Sequence, residues 1–265
     1  MTDKENLFSS FPPISKEEWL QKVTQDLKGR PFEELIWEME DGIQLAPFYH
    51  PEDQQIQRSA IESQRLQNQW SIAEQFRVNA DAYSLTNQQA LRALMGGTEA
   101  LQFDLKELPS KAELEALLED ISLSFISTHF NLEQDTAPQL IPLLIQLVED
   151  RREQKQRLRG SLHFGQNWWK QPVLFRKSFQ LLHTALPQFK LLTIEARREE
   201  GEGNLEDLVR AIEAGRQFLD YCREPAVEIE QPHRCVQFSI FLGNSYFVEM
   251  ARIRALRLLW ANVLQ

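Results

Sequence analysis

Five histidines, two cysteines and a dense run of acidic and basic side chains are the residues of this 265-residue chain that can carry chemistry. His129 stands in Ser127-Thr-His-Phe130, at the end of an apolar run, where it can face the mouth of a site. His163 sits within the extended stretch Gly160–Gly165 and can point into the interior. A lone histidine in either place is more often a hydrogen-bonded core or surface residue than a ligand. His50, His183 and His233 have no partner at metal-ligand spacing, so no metal site is expected. Glu195, Glu199, Glu200 and Glu202 form an acidic cluster beside Arg197 and Arg198. Paired carboxylates can work as general acid and base, although such a charge run is usually a solvated loop. Cys222 and Cys235 sit in no Cys-x-x-Cys arrangement and are expected as reduced thiols.

The elements that must position these groups alternate regularly. Six short apolar segments read as strands: Trp70–Phe76, Ala100–Asp104, Ile121–Ile126, Gly160–Gly165, Leu191–Ala196 and Cys235–Phe241. Each is followed by a helical pattern: Asn87–Met95, Lys111–Leu118, Pro138–Glu149, Pro172–Leu186, Leu205–Tyr221, and one from Tyr246 onward, with Ser245 as its expected cap. The last helix is expected to be buried. Phe247, Met250, Ala251, Ile253, Ala255, Leu258 and Leu259 form its wide apolar side, and Glu249, Arg252 and Arg257 fall elsewhere. Repeated βα units imply a parallel sheet with right-handed crossovers. No glycine-rich phosphate loop follows the first strand, which removes the usual evidence for a dinucleotide fold.

Ahead of these units, residues 1–69 read as an arm and linker, and residues 70–265 as the βα domain. Ser15 caps a helix over Lys16–Leu27 with Glu18 at the capping-box position, and Gly29 stops it. Asp41-Gly42 turns between the extended pieces Leu35–Glu38 and Ile43–Leu45. Of the 265 residues 42% are hydrophobic, enough for a sizeable core. A formal charge of −10 argues against nucleic acid or an anionic membrane as the main partner. Met1–Ser10 has no apolar core of a signal peptide, and no apolar run approaches the ~20 residues of a membrane span. The expected location is cytoplasmic.

Two widely separated stretches carry a family resemblance. Phe247-Val-Glu-Met-Ala-Arg-Ile-Arg-Ala-Leu-Arg-Leu-Leu-Trp-Ala261 resembles the FxExAKxRAxRxLWA helix of the methylmalonyl-CoA mutase family. Near the other end, Phe11-Pro-Pro-Ile-Ser-Lys-Glu-Glu-Trp19, Asp26-Leu-Lys-Gly29, Leu35-Ile-Trp37 and Asp41-Gly-Ile-Gln-Leu-Ala-Pro-Phe-Tyr49 resemble, in order, the opening of the same family. The resemblance implies an α/β fold of the TIM (β/α)8-barrel type, here incomplete with six βα units, and preceded by an extended arm. A barrel short of two strands has open edges.

What the family uses for catalysis is substituted in this chain. The arginine of the family's WTIRQY stretch is replaced by Ala73 within Trp70-Ser-Ile-Ala-Glu-Gln-Phe76. Phe103-Asp104-Leu105 remains, but Lys106-Glu-Leu-Pro-Ser110 replaces the loop that covers the substrate. The histidine of the family's SGYH stretch has Arg198 near its place. No Asp-x-His-x-x-Gly occurs, so the loop that supplies the family's lower cobalamin ligand is missing. The resemblance therefore implies a non-catalytic small subunit without a catalytic residue of its own. Adenosylcobalamin would be held by a large catalytic partner that interconverts methylmalonyl-CoA and succinyl-CoA. Trp19, Trp37, Tyr49 and Trp168 are the expected partner anchors, and self-association in isolation stays open. The competing reading is a remodelled barrel that acts on or binds a CoA ester or other small ligand by itself, with His129, His163, Glu195 and Arg198 as its pocket.

Overall fold

Ser15 starts the first helix as its sequence predicts. Its hydroxyl accepts from the Glu18 amide while Glu18 reaches back to the Ser15 amide, which satisfies two orphan donors at once. The computed structural model describes residues 13–39, 42–53, 70–132, 137–165, 168–197 and 205–265. The chain divides into two units, Met1–Glu62 with Gly203–Leu205, and Ser63–Glu202 with Glu206–Gln265.

In the first unit, α1 (Lys16–Asp26) ends where Lys28 and Gly29 take positive φ. Two short strands, β1 (Trp37–Glu38) and β2 (Gln44–Leu45), pair antiparallel across a turn in which Gly42 has φ 70°. Trp19 packs on Phe48 at 4.7 Å and edge-on to Phe32 at 6.4 Å, so this unit carries a small aromatic cluster of its own.

The second unit is a βα array. Its elements are β3 (Ala73–Val78), α2 (Tyr83–Met95), β4 (Ala100–Leu105), α3 (Lys111–Leu117), β5 (Ser127–Asn131), α4 (Leu140–Asp150), β6 (Arg159–His163) and α5 (Pro172–Ala185). There follow β7 (Phe189–Lys190), β8 (Leu192–Ala196), α6 (Glu206–Arg223), β9 (Val236–Ile240) and α7 (Tyr246–Val263). Strands β3 to β7 form one sheet in sequence order with parallel pairing, and β8 pairs parallel with β9. Only Leu191 separates β7 from β8, so the array steps on in the same order. The fold is mixed α/β and compatible with an incomplete TIM-type barrel; among the described residues the barrel does not close.

One sheet face carries the core. Phe76, Phe103 and Phe130 are register partners on β3, β4 and β5, with ring centroids 5.9 and 5.7 Å apart. Phe103 and Phe130 are fully buried, each contributing roughly 1.5–3 kcal/mol from burial. The same core takes in α4, whose Leu140, Ile141, Leu144, Leu147 and Val148 recur at helical spacing and are all buried.

Three expectations need correction. The third strand is Ser127–Asn131, not Ile121–Ile126. Ile121, Leu123 and Ile126 are buried from the connection between α3 and β5 instead, which is why their apolar run imitates a strand. Ser245 makes no side-chain cap to α7. The polarity of α7 is also inverted at its start. Glu249 and Arg252 are buried, while Phe247 is 82% exposed. The cause is an ion-pair cluster: Arg252 Nη1 donates to Glu249 at 2.5 Å, and Nη2 donates to Asp207 at the start of α6. Satisfying that buried guanidinium rotates the helix and turns Phe247 outward.

Candidate functional site

Alternation along the strands sends every second residue to the face opposite the phenylalanine stack. On that face the register aligns Gln75, Gln102, His129, Ser161 and Lys190 in one row. Nearer the C-terminal strand ends, a second row holds Arg77, Asp104, Asn131 and His163. On β8, Leu192, Ile194 and Ala196 are buried, so Thr193 and Glu195 alternate to the other face, beside Gln237 and Ser239 of β9. The face that a filled barrel would pack with branched apolar residues is polar here.

Asp104 organises this face. Its carboxylate accepts from Asn131 Nδ2 at 2.7 Å, from Gln102 Nε2 at 3.2 Å, and from Gln75 Nε2. Three neutral amides from three adjacent strands therefore share one carboxylate. His129 Nδ1 and Ser161 Oγ share a hydrogen bond of 2.8 Å. Burial alone holds the His129 pKa below its ordinary value, so the ring is neutral at physiological pH. Its Nε2 has no partner among the described residues. A hydroxyl beside an imidazole can form a nucleophile–base pair, but that pair needs a third group to orient the ring. Ser161, only 2% exposed, sits too deep to present a nucleophile. The arrangement suits the recognition of a polar ligand better than covalent catalysis.

The structure brings together only part of the expected pocket. His129 lies inside β5 rather than after a strand, because β5 itself is displaced from its expected position. His163 closes β6 one row above it, 7% exposed and engaged with neighbouring groups. Glu195 is exposed on β8. Arg198 lies outside the described residues, as do Glu199, Glu200 and Glu202. Asp104, Asn131, Gln75, Gln102 and Ser161 were not anticipated. Their signal was the polar member of each alternating pair, as in Gln102-Phe-Asp104 and His129-Phe-Asn131.

The tryptophans separate in the same way. Trp168 is 8% exposed, wedged between Phe164 at 5.2 Å and Phe175 at 5.3 Å, and is a core residue rather than a partner anchor. Its neighbour Trp169 packs edge-on to Phe218 and Tyr221. Trp37 and Tyr49 of the arm are 63% and 56% exposed. Cys222 and Cys235 are both buried, and burial pushes the Cys222 thiol up to about 12 and Cys235 higher still. Neither is a nucleophile at neutral pH.

Comparison with known proteins places this geometry. A sequence model described as methylmalonyl-CoA mutase matches residues 107–265, more than half the chain. This chain belongs to the methylmalonyl-CoA mutase family. Among its relatives, the methylmalonyl-CoA mutase small subunit of Porphyromonas gingivalis (strain ATCC BAA-308 / W83) is 30% identical over 98% of this chain and 46% of its own length. The methylmalonyl-CoA mutase small subunit of Streptomyces virginiae is 23% identical over 97% of this chain and 46% of its own length. The chain thus spans about half the length of the curated relatives it matches. No helix among the described residues is long and apolar enough to cross a membrane.

Proposed function

We propose that this chain acts as the non-catalytic small subunit of a methylmalonyl-CoA mutase, or as the arm and barrel part of one. A large catalytic partner would interconvert methylmalonyl-CoA and succinyl-CoA. The observation that carries this reading is the site itself: within a chain of this family, the polar sheet face holds three amides bonded to the Asp104 carboxylate and a neutral histidine bonded to Ser161, with Ala73 where the family has arginine. Two mutase small subunits among the relatives support the same role.

Adenosylcobalamin is assigned in this proposal to the partner, and the hard chemistry with it, because these 265 residues hold no Asp-x-His-x-x-Gly, the stretch that supplies the family's lower cobalamin ligand. This chain would supply structure. Its arm, with Trp37 and Tyr49 exposed and Trp19 packed on Phe32 and Phe48, is the proposed grip on the partner, because large exposed aromatic side chains are the usual anchors of interfaces. The work would take place in the cytoplasm.

Co-purification with the catalytic mutase subunit from the same genome tests the reading. Wild-type chain is expected to co-elute, and a Trp37→Ala/Tyr49→Ala double variant to lose association by tenfold or more. A wild-type chain that ignores the catalytic subunit would overturn the proposal. A second reading, ligand binding by this chain alone, draws on the polar face around Asp104. Saturable binding of an acyl-CoA to the isolated chain would favour it.

A further inference from the structure

The helix layer of the array holds a cleft that none of the residues around Asp104 lines. It lies between α5, the end of α6 and the connection between α6 and β9, with a volume of about 770 Å³. Small-molecule sites usually enclose roughly 300–1,000 Å³. Arg176, Phe179, Gln180 and His183 line it from α5, where spacings of three and four put them on one helix face. From Arg176 to Thr184 that face runs about 12 Å along the axis. Arg223 of α6 and Arg234 of the connection stand on the other walls.

The connection forms a fixed wall. Val227 is fully buried, Ile229 N donates to Cys222 O at 3.0 Å, and Arg234 N donates to Gln231 O at 3.0 Å. Glu228 and Gln231 hold φ at 40° and 52°, a left-handed backbone that non-glycine residues adopt rarely and that collects at binding sites.

Three guanidinium groups line this one cleft in a chain of formal charge −10. Two of them have duties within the fold. Arg223 donates to Asp220 at 3.0 Å in the last turn of α6, where a cation also complements the helix end, and Arg176 faces Glu228 at 4.0 Å. Arg234 has no such duty. Its N–H is held by Gln231 and its carbonyl accepts from Lys190 Nζ at 2.7 Å, while its guanidinium has no partner among the described residues. Beside these cations His183 lies nearly parallel to Phe179, with ring centroids 5.3 Å apart and planes 12° apart. Phe179 is buried and His183 half-buried, so the imidazole covers the phenyl ring and turns its own outer face to the cleft.

We propose that this cleft binds a nucleoside phosphate, whose base stacks on His183 as a third layer over Phe179 and whose phosphate is held by the Arg234 guanidinium. Arg176 and Arg223 add positive charge around it. A guanidinium fork meets phosphate oxygens two at a time, and an aromatic ring face takes any nucleobase. Each half of the ligand answers a separate observation. An inorganic anion would leave the ring stack unused, and an uncharged ring would leave the Arg234 guanidinium without a partner.

The test is isothermal titration of the full chain with ADP, adenosine and inorganic pyrophosphate. ADP is expected to bind one to one, and adenosine and pyrophosphate each at least tenfold more weakly. Arg234→Met is expected to weaken ADP tenfold or more and to leave adenosine unchanged. His183→Leu is expected to weaken ADP and adenosine but not pyrophosphate, and His183→Phe, which keeps a ring, to retain ADP. Arg234 is exposed and His183 half-buried, so these variants are expected to keep the wild-type circular dichroism spectrum. No saturable ADP binding, or ADP binding that both Arg234→Met and His183→Leu leave unchanged, overturns the proposal. Pyrophosphate binding as tight as that of ADP overturns it too, since the cleft would then be an anion patch alone. Because the catalytic subunit takes no part in this experiment, its result is independent of the functional reading above.

Discussion

Replacing Arg252 by Ala is the perturbation whose size follows most directly from the structure. Arg252 is 3% exposed and lies between Asp207, 1% exposed, and Glu249, 6% exposed. One guanidinium serves both carboxylates and also approaches the Phe241 carbonyl at 3.5 Å, while its Nε has no hydrogen-bond partner among the described residues. The cluster is therefore no great source of stability in itself, since desolvation offsets most of the attraction. Removing the cation is another matter, because it takes from two buried carboxylates the guanidinium that serves both. Breaking a buried pair this way costs about 3–5 kcal/mol, a large share of a typical 5–15 kcal/mol total. With a urea m-value of about 2 kcal/mol/M, the unfolding midpoint should fall by roughly 1.5–2.5 M. A triple variant, Asp207→Asn with Glu249→Gln and Arg252→Met, should recover most of that loss, since no net charge then remains buried. The assay is urea unfolding followed by circular dichroism. A midpoint for Arg252→Ala within about 0.3 M of wild type at unchanged m-value, or a triple variant as weak as the single one, would refute the argument.

Other expectations follow from single contacts. Gly160→Ala should cost at least the roughly 1–3 kcal/mol of overpacking, because its methyl group would sit 1.8 Å from the Thr128 carbonyl oxygen on the paired strand; thermal unfolding reads it. Cys222 and Cys235 should resist a thiol reagent at pH 8 in the folded chain and both react once it is unfolded in urea. For His129, burial lowers the folded pKa below the unfolded value of 6.5. The unfolded chain then binds the proton first as the pH drops, so stability is level above about 6.5 and declines below it, toward the lowered folded value. NMR titration should place the His129 midpoint under 6.5, and His129→Gln should flatten that slope.

Much of the array was legible in the amino-acid order because each helix needs an apolar stripe at 3.6-residue spacing to reach the sheet, as in Leu140–Val148 of α4. The capping box at Ser15 is equally local and equally readable. β5 was not readable. A buried strand is usually recognised by an unbroken apolar run, and Ile121–Ile126 offers one, while the true strand alternates Ser127, His129 and Asn131 with Thr128 and Phe130. That pattern arises because one sheet face is polar, which depends on what lies across the sheet. The orientation of α7 failed for a related reason. The helix is apolar nearly all round, and the residue that orients it, Asp207, lies 45 positions from Arg252. The Asp104 cluster likewise depends on register between three strands, which no single segment encodes. Arg198 and its acidic neighbours fall outside the described residues.

The most direct measurement is mutase turnover of methylmalonyl-CoA by three samples: this chain alone, the catalytic subunit alone, and the two mixed, with adenosylcobalamin in each. The account expects no turnover from this chain alone and more turnover, or a longer-lived activity, from the mixture than from the catalytic subunit by itself. Turnover by this chain alone would contradict it, and so would a mixture no different from the catalytic subunit in rate and lifetime.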